Sequence, residues 1–449
     1  MPISFIDAPL GRTLFHLSAP SVIALAVQTG VSVAEVWYVG QLGTSALAGL
    51  ALAYPMYMLV TMISAGTAGG VVAGAVARAL GAGDQGRADI LAWNSLVFAV
   101  IAAVAFAVLF LGLGRQIFTL IGGTGVALEQ ALLYSDTLFA GGILMWLFNV
   151  LTCVLRGAGR MRASAVVMVG AACLQIPLAG VLVLGWGGVS PLGIAGAPTA
   201  ALITFGLGAA VCIWLLTQRS SPIRLSQQGF KFDRVALGRF ISVGTLASVG
   251  PFLTVGSVVL LGRFVGQFGE AAFAGYGIGT RLEFLIIPVV MGIGTAVITL
   301  VGSNIGAGRL DKALRAAWTG AGAAALIVGA FGCLFALFPS IWAASFTSDA
   351  ATLDSAYAYL RIAGPGYVFL GLGLTLYFAS QGAGRMAWPV AAGVFRVLII
   401  LIGGLLVTSL PDLQLKSLYA LILIGMAIYG ITIAAAIRYG AWNKGGNPV

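Results

Sequence analysis

The chain has 449 residues, of which 60% are hydrophobic and 8% are charged, and its formal net charge is +10. A soluble domain carries about 25% charged residues, so this composition excludes a water-soluble globular protein. The basic residues are scattered over short segments between apolar stretches, where they would face anionic lipid headgroups. We therefore expect an all-α integral membrane protein that contacts membrane lipids and has no nucleic acid partner.

Apolar stretches close to the ~20 residues needed to cross a bilayer recur along the whole chain. We predict twelve spans. Their approximate limits are 15–39, 46–77, 92–114, 133–155, 163–185, 193–216, 240–264, 273–303, 317–338, 357–380, 388–409 and 418–437.

The chain repeats itself. The run GAGRM occurs at Gly157 to Met161 and again at Gly382 to Met386, which is an offset of 225 in the numbering. A second pair, VGQLGTSALAG from Val39 to Gly49 and VGQFGEAAFAG from Val265 to Gly275, has nearly the same offset. Repeated halves are typical of membrane transporters. Because each half has six spans, an even number, the two halves enter the membrane from the same side and the repeat is parallel.

We predict a first six-helix lobe over 1–218, a cytoplasmic linker over 219–239 and a second six-helix lobe over 240–449. One alternate set of loops and termini holds 17 of the 23 lysines and arginines. By the positive-inside rule, both termini should lie in the cytoplasm.

Few charges fall inside the predicted spans, where each costs about 2.5–3.5 kcal/mol on insertion scales. The acids there are Glu35 and Glu283, and the embedded arginines are Arg281 and Arg396. Arg281 and Glu283 are two residues apart and point to different faces of a helix. Since Glu283 and Arg396 lie at matching depths, we expect a contact between Glu283 and Arg396, or Arg281, whose role is either a structural ion pair or function.

Glu35 differs because the first half contains no embedded lysine, arginine or histidine to neutralise it. It must be protonated or bind a cation. Gln28, Ser32 and Glu35 are spaced seven and three residues apart, so they form one polar stripe on the first span. The alternative is that Glu35, near the outer end of the span, simply reaches water. We take Glu35 and Glu283 as candidate cation-coupling residues.

Other polar residues within the spans are candidates for a substrate cavity or polar network. With Gln28, Ser32, Arg281 and Arg396, they are Asn149, Gln175, Tyr276, Thr280 and Gln381. Taken singly, each is more often a hydrogen bond between packed helices than a ligand contact. The four cysteines lack ligand-like spacing, so we expect no metal site.

Several motifs, in their order along the chain, carry a resemblance to a known family. They are AEVWYVGQLGTSALAG at Ala34 to Gly49, ARALGAGD at Ala77 to Asp84, LRGAGRM at Leu155 to Met161, PLGIAGA at Pro191 to Ala197, and YGIGTRLEFLIIP at Tyr276 to Pro288. With two six-span halves, the chain resembles the multidrug and toxic compound extrusion family of the flippase-like transporter superfamily. The resemblance implies a V-shaped molecule of two six-helix lobes that exports amphipathic or cationic compounds in exchange for protons or sodium ions.

Family residues carry over only in part. Glu35 stands where the family has an acid in the first span. In the fifth span, Gln175 replaces a frequent asparagine and Ala179 replaces a frequent aspartate, and spans seven and ten have no acid. Because a hard cation such as Na⁺ wants several oxygen ligands, these losses favour a proton over sodium.

The resemblance therefore implies a proton-coupled exporter of the bacterial inner membrane, a monomer without a cofactor. A sodium-coupled exporter and a lipid-linked oligosaccharide flippase are alternatives, although a flippase would want more embedded arginines. An intramembrane enzyme is disfavoured, because the spans hold no paired histidine, metal-ligand set or aspartate dyad.

Overall fold

The structure is a computed structural model that describes residues 9–218, 221–225, 231–409 and 414–442, and within these ranges it is helical with no strand. Within these ranges, eleven helices are long and apolar enough to cross a membrane, and two shorter helices that meet at Gly141 with a bend of 57° make a twelfth when the pair is counted as one span. The helices are α1 Leu10–Gly40, α2 Thr44–Gly81, α3 Gln85–Leu120, α4 Gly125–Ala140 with Gly142–Gly157, α5 Met161–Leu184, α6 Gly193–Thr217, α7 Arg234–Gly266, α8 Glu270–Gly306, α9 Leu310–Leu337, α10 Ala350–Ala383, α11 Ala387–Ser409 and α12 Leu415–Arg438. The predicted twelve-span, all-α fold is confirmed.

Helix starts follow from local chemistry. The side chain of Asp84 accepts a hydrogen bond from the backbone N–H of Arg87 and so caps α3. The residues before α2 and α8 are Gly43 and Gly269, which have φ angles of 108° and 107°. Glycine suits both positions because other residues rarely adopt a positive φ. The two glycines end the matching runs VGQLG and VGQFG, so this turn is part of the repeat.

The described residues form two compact units, 19–245 and 246–442 with 9–18, which we call the first and second lobes. The first turns of α7 belong to the first lobe, where the Phe240 ring lies 6.1 Å from that of Phe98. The units therefore divide within α7, later than the predicted linker at 219–239. Residues 219–220 and 226–230 of that predicted linker lie outside the described ranges.

The end of the predicted linker is hydrogen-bonded to α3. The Asn94 amide donates to the backbone oxygen of Lys231 over 2.9 Å, and the N–H of Asp233 donates back to the Asn94 side-chain oxygen over 3.0 Å. Arg87 and Asp233 form an ion pair beside these bonds. All these contacts are made with α3, which explains why the start of α7 belongs to the first lobe.

The same close contacts between helices occur within each half of the chain. A Cβ atom placed on Gly157 would come within 2.5 Å of the backbone oxygen of Ala73, and one placed on Gly382 would come equally close to that of Ile298. Gly382 and Ile298 follow Gly157 and Ala73 by 225 residues, which is also the offset between the two GAGRM runs. Two further sets repeat in the same way: Gly49 against Gln130 with Gly275 against Ser355, and Gly69 against Cys153 with Gly294 against Phe378. Small residues let these helices approach closely in both halves.

One feature of α2 breaks the repeat. The stretch from Gly49 to Gly69 is one residue longer than the stretch between their counterparts, Gly275 and Gly294. Since both glycine pairs make equivalent contacts, the extra residue of the first lobe must be absorbed between them. Between them, α2 is π-helical over Met62–Ala68. A π-turn closes its hydrogen bond one residue later than an α-turn. The π-helical segment is therefore the structural form of a one-residue insertion.

Candidate functional site: two buried carboxyl groups

Glu35 lies near the end of α1 and is 7% exposed. Its carboxyl oxygen accepts a hydrogen bond of 2.6 Å from the hydroxyl of Tyr134, on the first segment of α4. The alternative that Glu35 simply reaches water is therefore wrong. Burial removes a carboxyl group from water at a free-energy cost that one hydrogen bond offsets only in part.

The described groups that interact with Glu35 are hydroxyls. Tyr54 and Tyr57 of α2 lie close enough to interact with its charge, and Ser32 lies beside Tyr54. Tyrosine and serine hydroxyls carry no charge near neutral pH. Among the described residues, no basic group forms an ion pair with Glu35 within 4.0 Å. The carboxyl therefore has a bonded donor but no bonded counter-charge.

Arg156 corrects one expectation. The predicted span 133–155 ends before Arg156 and so leaves this residue in a cytoplasmic loop, but α4 continues to Gly157 and the Arg156 side chain is buried at its end. The guanidinium donates to the sulfur of Cys153, one turn earlier, over 2.8 Å. The first half thus does contain a buried arginine, held by a group on its own helix.

The π-helical segment makes two further polar contacts with α4. The Asn149 amide donates to the hydroxyl of Ser64 over 2.8 Å, and the Cys153 thiol donates to the backbone oxygen of Ala65 over 3.5 Å. Asn149 therefore joins the segment and not the Glu35 group. Of the remaining candidates, Gln175 is buried in α5 and Gln28 is half-buried on α1.

Glu283 lies in α8 and is 8% exposed. The hydroxyl of Tyr359, on α10, donates a hydrogen bond to its carboxyl oxygen. Arg396 of α11 is 7% exposed, packs its stem against Gly425 and interacts electrostatically with Glu283. No ion pair within 4.0 Å joins Glu283 and Arg396. The expected contact is therefore a longer-range interaction, because Tyr359 occupies the position next to the carboxyl.

Arg281 is not a partner of Glu283. It is exposed, and its guanidinium lies 5.5 Å from the centre of the Phe346 ring. Two residues of separation place the side chains on different faces of α8, as the spacing indicates. Thr280 is buried, but its hydroxyl donates to the backbone oxygen of Gly277 on the same helix.

Two other candidates are buried in the second lobe. The Tyr276 hydroxyl donates to the backbone oxygen of Val258 over 2.9 Å, while its ring packs against Tyr359. Gln381 is fully buried beside Tyr377. Of the sequence candidates, Tyr276 and Arg396 interact electrostatically with Glu283.

Tyr134 and Tyr359 were missed by sequence reasoning, although a signal for both existed. The run LEQALLY ends at Tyr134, and the similar run LDSAYAY ends at Tyr359. The offset between these two runs equals that of the GAGRM pair. An alignment of the halves through these helices would have matched the two tyrosines.

The chain matches the MatE family model twice, over residues 20–181 and again over 247–406. It is 24% identical to NorM of Thermotoga maritima, a probable multidrug resistance protein, over 84% of this chain and 81% of the relative. It is 23% identical to the multidrug export protein MepA of Staphylococcus aureus over 89% and 88%. A protein of Shewanella oneidensis named FAD transporter is 26% identical over 69% of each chain.

Solved structures have the same fold. A transporter of the MOP superfamily from Pyrococcus furiosus superposes with a TM-score of 0.89, at 24% identity and over 99% of both chains. An outward-facing multidrug resistance transporter of the MATE family gives a TM-score of 0.88 over the same share. The two family matches cover most of the chain, one in each half. The protein therefore belongs to the multidrug and toxic compound extrusion (MatE) family, and it is a multi-pass membrane transporter, not an enzyme.

Proposed function

We propose that the protein exports amphipathic or cationic organic compounds in exchange for protons, with Glu35 as the coupling residue. The observation that carries this proposal is the buried Glu35 carboxyl, bonded by Tyr134 and without a basic partner within 4.0 Å among the described residues. An ionised carboxyl in such a place is costly, and a bound cation removes that cost. A proton and a cationic substrate would compete for the same negative charge.

This competition yields exchange. When a proton neutralises Glu35, a cationic substrate loses its attraction to the site, and when the proton leaves, the attraction returns. One proton that crosses about 150 mV releases about 3.5 kcal/mol. That free energy sustains about a 300-fold gradient of a neutral substrate at perfect coupling.

The side chains favour a proton over Na⁺. A hard metal cation wants several oxygen ligands at once. The described residues contain no group of three or more His, Cys, Asp or Glu side chains that could hold a metal ion. In α5, Ala179 stands where the family resemblance places an aspartate, so that carboxylate is missing, whereas Gln175 still carries an amide oxygen. A single carboxyl with a hydroxyl donor suits a proton better.

Efflux from proteoliposomes tests the proposal. We expect ethidium efflux to follow an imposed pH gradient and to be indifferent to an imposed sodium gradient. Glu35→Gln should reduce the pH-driven efflux at least 100-fold, because the amide binds no proton near neutral pH. Glu129→Gln is a matched control, since Glu129 pairs with Arg115 on an exposed surface. Efflux that follows sodium alone, or full activity of Glu35→Gln, would contradict the proposal.

The substrate class needs its own comparison. The relative named FAD transporter makes FAD, an anion, the natural counterpart of a cationic dye. Competition for the Glu35 charge predicts that ethidium efflux depends on Glu35 more strongly than FAD efflux does. Equal dependence in both assays would argue that Glu35 couples without contacting the substrate.

We further propose that the protein is a monomer of the bacterial inner membrane with both termini in the cytoplasm. The distribution of lysine and arginine supports this orientation. A fluorescent protein fused to the C-terminus should fluoresce in the cytoplasm, whereas a periplasmic phosphatase fused there should stay inactive. The reverse pattern would overturn the orientation.

A further inference from the structure

We propose that the second lobe contains a proton-binding site of its own, formed by Glu283 and Tyr359 and separate from the Glu35 site. Its role in transport rests on the proposed proton coupling, but its existence does not. The proposal follows from three features: a repeated tyrosine, a carboxyl supplied from a different helix, and an arginine that interacts with this carboxyl without contacting it.

The tyrosine belongs to the repeat. Tyr134 and Tyr359 occupy equivalent positions of the two halves, on α4 and α10. Both side chains are buried, and each hydroxyl donates to a buried carboxyl of its own lobe. Each lobe thus holds one acid at the same place in the fold.

The acid does not belong to the repeat. Glu35 comes from α1, and the offset that matches Gly49 with Gly275 matches Glu35 with Leu261 in the second lobe. Glu283 comes from α8, where its first-lobe counterpart is Tyr57. A single ancestral acid would occupy matching positions. In each lobe, a buried carboxyl group accepts a hydrogen bond from the equivalent tyrosine, although burying a carboxyl costs free energy. This indicates that each lobe needs a protonatable group at this place.

The groups that face Glu283 are Tyr276 on its own helix, Tyr359 and Tyr367 on α10, and Arg396 on α11. The three tyrosines belong to the hydrophobic core of the lobe. Arg396 is therefore the single charge among these groups. Its positive charge stabilises the ionised carboxyl, and a bound proton or a bound monovalent metal ion would add the same single charge to this pair. A metal ion also needs several ligands, and the described residues contain no group of three or more His, Cys, Asp or Glu side chains, so a lone carboxyl with a hydroxyl donor suits a proton better.

The arrangement is not that of a structural ion pair. Such a pair would place Glu283 and Arg396 in contact, as buried pairs require to offset desolvation. Instead the carboxyl oxygen is bonded by Tyr359, and Arg396 lies beyond 4.0 Å. Because Arg396 acts on one site alone, the two lobes should bind and release their protons at different pH values.

Infrared difference spectroscopy over a pH titration tests the inference on the full-length protein in lipid nanodiscs. The stretch of a protonated buried carboxyl is separate from the bands of ionised groups. We expect two such bands, one removed by Glu35→Gln and the other by Glu283→Gln. Glu129→Gln, which changes an exposed acid, should leave both bands in place.

The tyrosines supply matched variants that keep both acids. Tyr359→Phe should shift the Glu283 band alone, because that carboxyl loses its hydrogen-bond donor, and Tyr134→Phe should shift the Glu35 band alone. These variants keep the test open if Glu283→Gln fails to fold. A titration that Glu283→Gln and Tyr359→Phe both leave unchanged would overturn the inference.

Two further experiments test whether Glu283 and Arg396 form only a structural ion pair and whether the site binds Na⁺ instead of a proton. Exchanging the charges, Glu283→Arg with Arg396→Glu, should restore folding and transport if the pair is only structural, and we expect no recovery. Adding Na⁺ at constant pH should leave both bands unchanged; a sodium-induced loss of the Glu283 band would overturn the assignment to a proton. If Glu35→Gln retains transport while Glu283→Gln still removes its band, the proposed function fails and this inference stands.

Discussion

The two lobes share their helix packing and differ in their polar groups. Close glycine contacts recur at equivalent positions, so the halves need the same backbone geometry. The tyrosine that binds a carboxyl recurs too, yet the carboxyl is Glu35 of α1 in one lobe and Glu283 of α8 in the other. The comparison teaches that packing constrains both halves alike, whereas the buried carboxyl groups come from different helices of that common frame.

The largest expected effect comes from deleting one residue, either from α2 or from its counterpart α8. Deleting Ala65 removes the surplus residue of α2, so the helix can become α-helical and keep its contacts on both sides. Deleting the counterpart Val290 from α8, where no surplus exists, rotates every later side chain by about 100°. We expect the Ala65 deletion to yield folded protein and the Val290 deletion to abolish folding.

Expression and size-exclusion profiles in detergent measure the difference. The Ala65 deletion should also slow efflux, because π-turns are places where helices bend and the bulge lies five residues after Tyr57 at the Glu35 site. If both deletions are tolerated, or both fail, the interpretation of the π-helical segment as an insertion is wrong.

A smaller effect tests the shared packing. Gly157→Ala and Gly382→Ala each place a methyl group 2.5 Å from a backbone oxygen, so each should destabilise the protein by about 1–3 kcal/mol. The two losses should be similar, since the contacts are equivalent. Gly170→Ala is the control, because nothing lies within 4 Å of its added atom. Thermal unfolding in detergent measures all three, and strongly unequal losses would contradict equal packing.

The smallest expected effect concerns Asp233, a partly exposed acid, in contrast to the buried Glu35 and Glu283. The Arg87 guanidinium and the backbone N–H groups of Ala236 and Val235 hold the pKa of Asp233 below its ordinary value. A lowered pKa in the folded state means that ionised Asp233 stabilises the fold above its ordinary pKa of about 3.9, and that this stability is lost as pH falls through the folded-state pKa.

Asp233→Asn keeps an oxygen to cap α7 but removes the charge. It should therefore lower stability at pH 7 by no more than about 1 kcal/mol. The difference between wild type and variant should shrink as pH falls below about 3.9 and vanish once pH is below the lowered folded-state pKa. Thermal unfolding of the two proteins across this range checks the convergence. A difference that persists at low pH would assign the effect to the cap and not to the ion pair.

Much of the fold was predictable, because apolar length and internal repetition are direct consequences of the membrane. The twelve spans and the parallel repeat follow from them. The insertion in α2 was visible as a change of one in the offset between the halves, before and after this helix. Its accommodation as a π-helical segment was not predictable, since a loop or a kink could have absorbed the residue as well.

The candidate site was predictable only in part. Glu35 and Glu283 stood out because charges are rare in apolar spans, whereas Arg281 stayed an alternative partner of Glu283 although the helical spacing points the two side chains to different faces. The bonded partners, Tyr134 and Tyr359, were missed because a tyrosine in an apolar helix has no distinctive pattern of its own. Which helices face one another is a property of packing, and single-helix periodicity does not contain it.

The most direct test of the account is pH-driven ethidium efflux by Glu35→Gln and Glu35→Asp in proteoliposomes, with dye binding measured in parallel. Exchange coupled through this carboxyl predicts that the amide variant transports no faster than protein-free liposomes although it remains folded, and that the aspartate variant retains part of the wild-type rate. A Glu35→Gln protein that drives efflux at the wild-type rate from a pH gradient would contradict it.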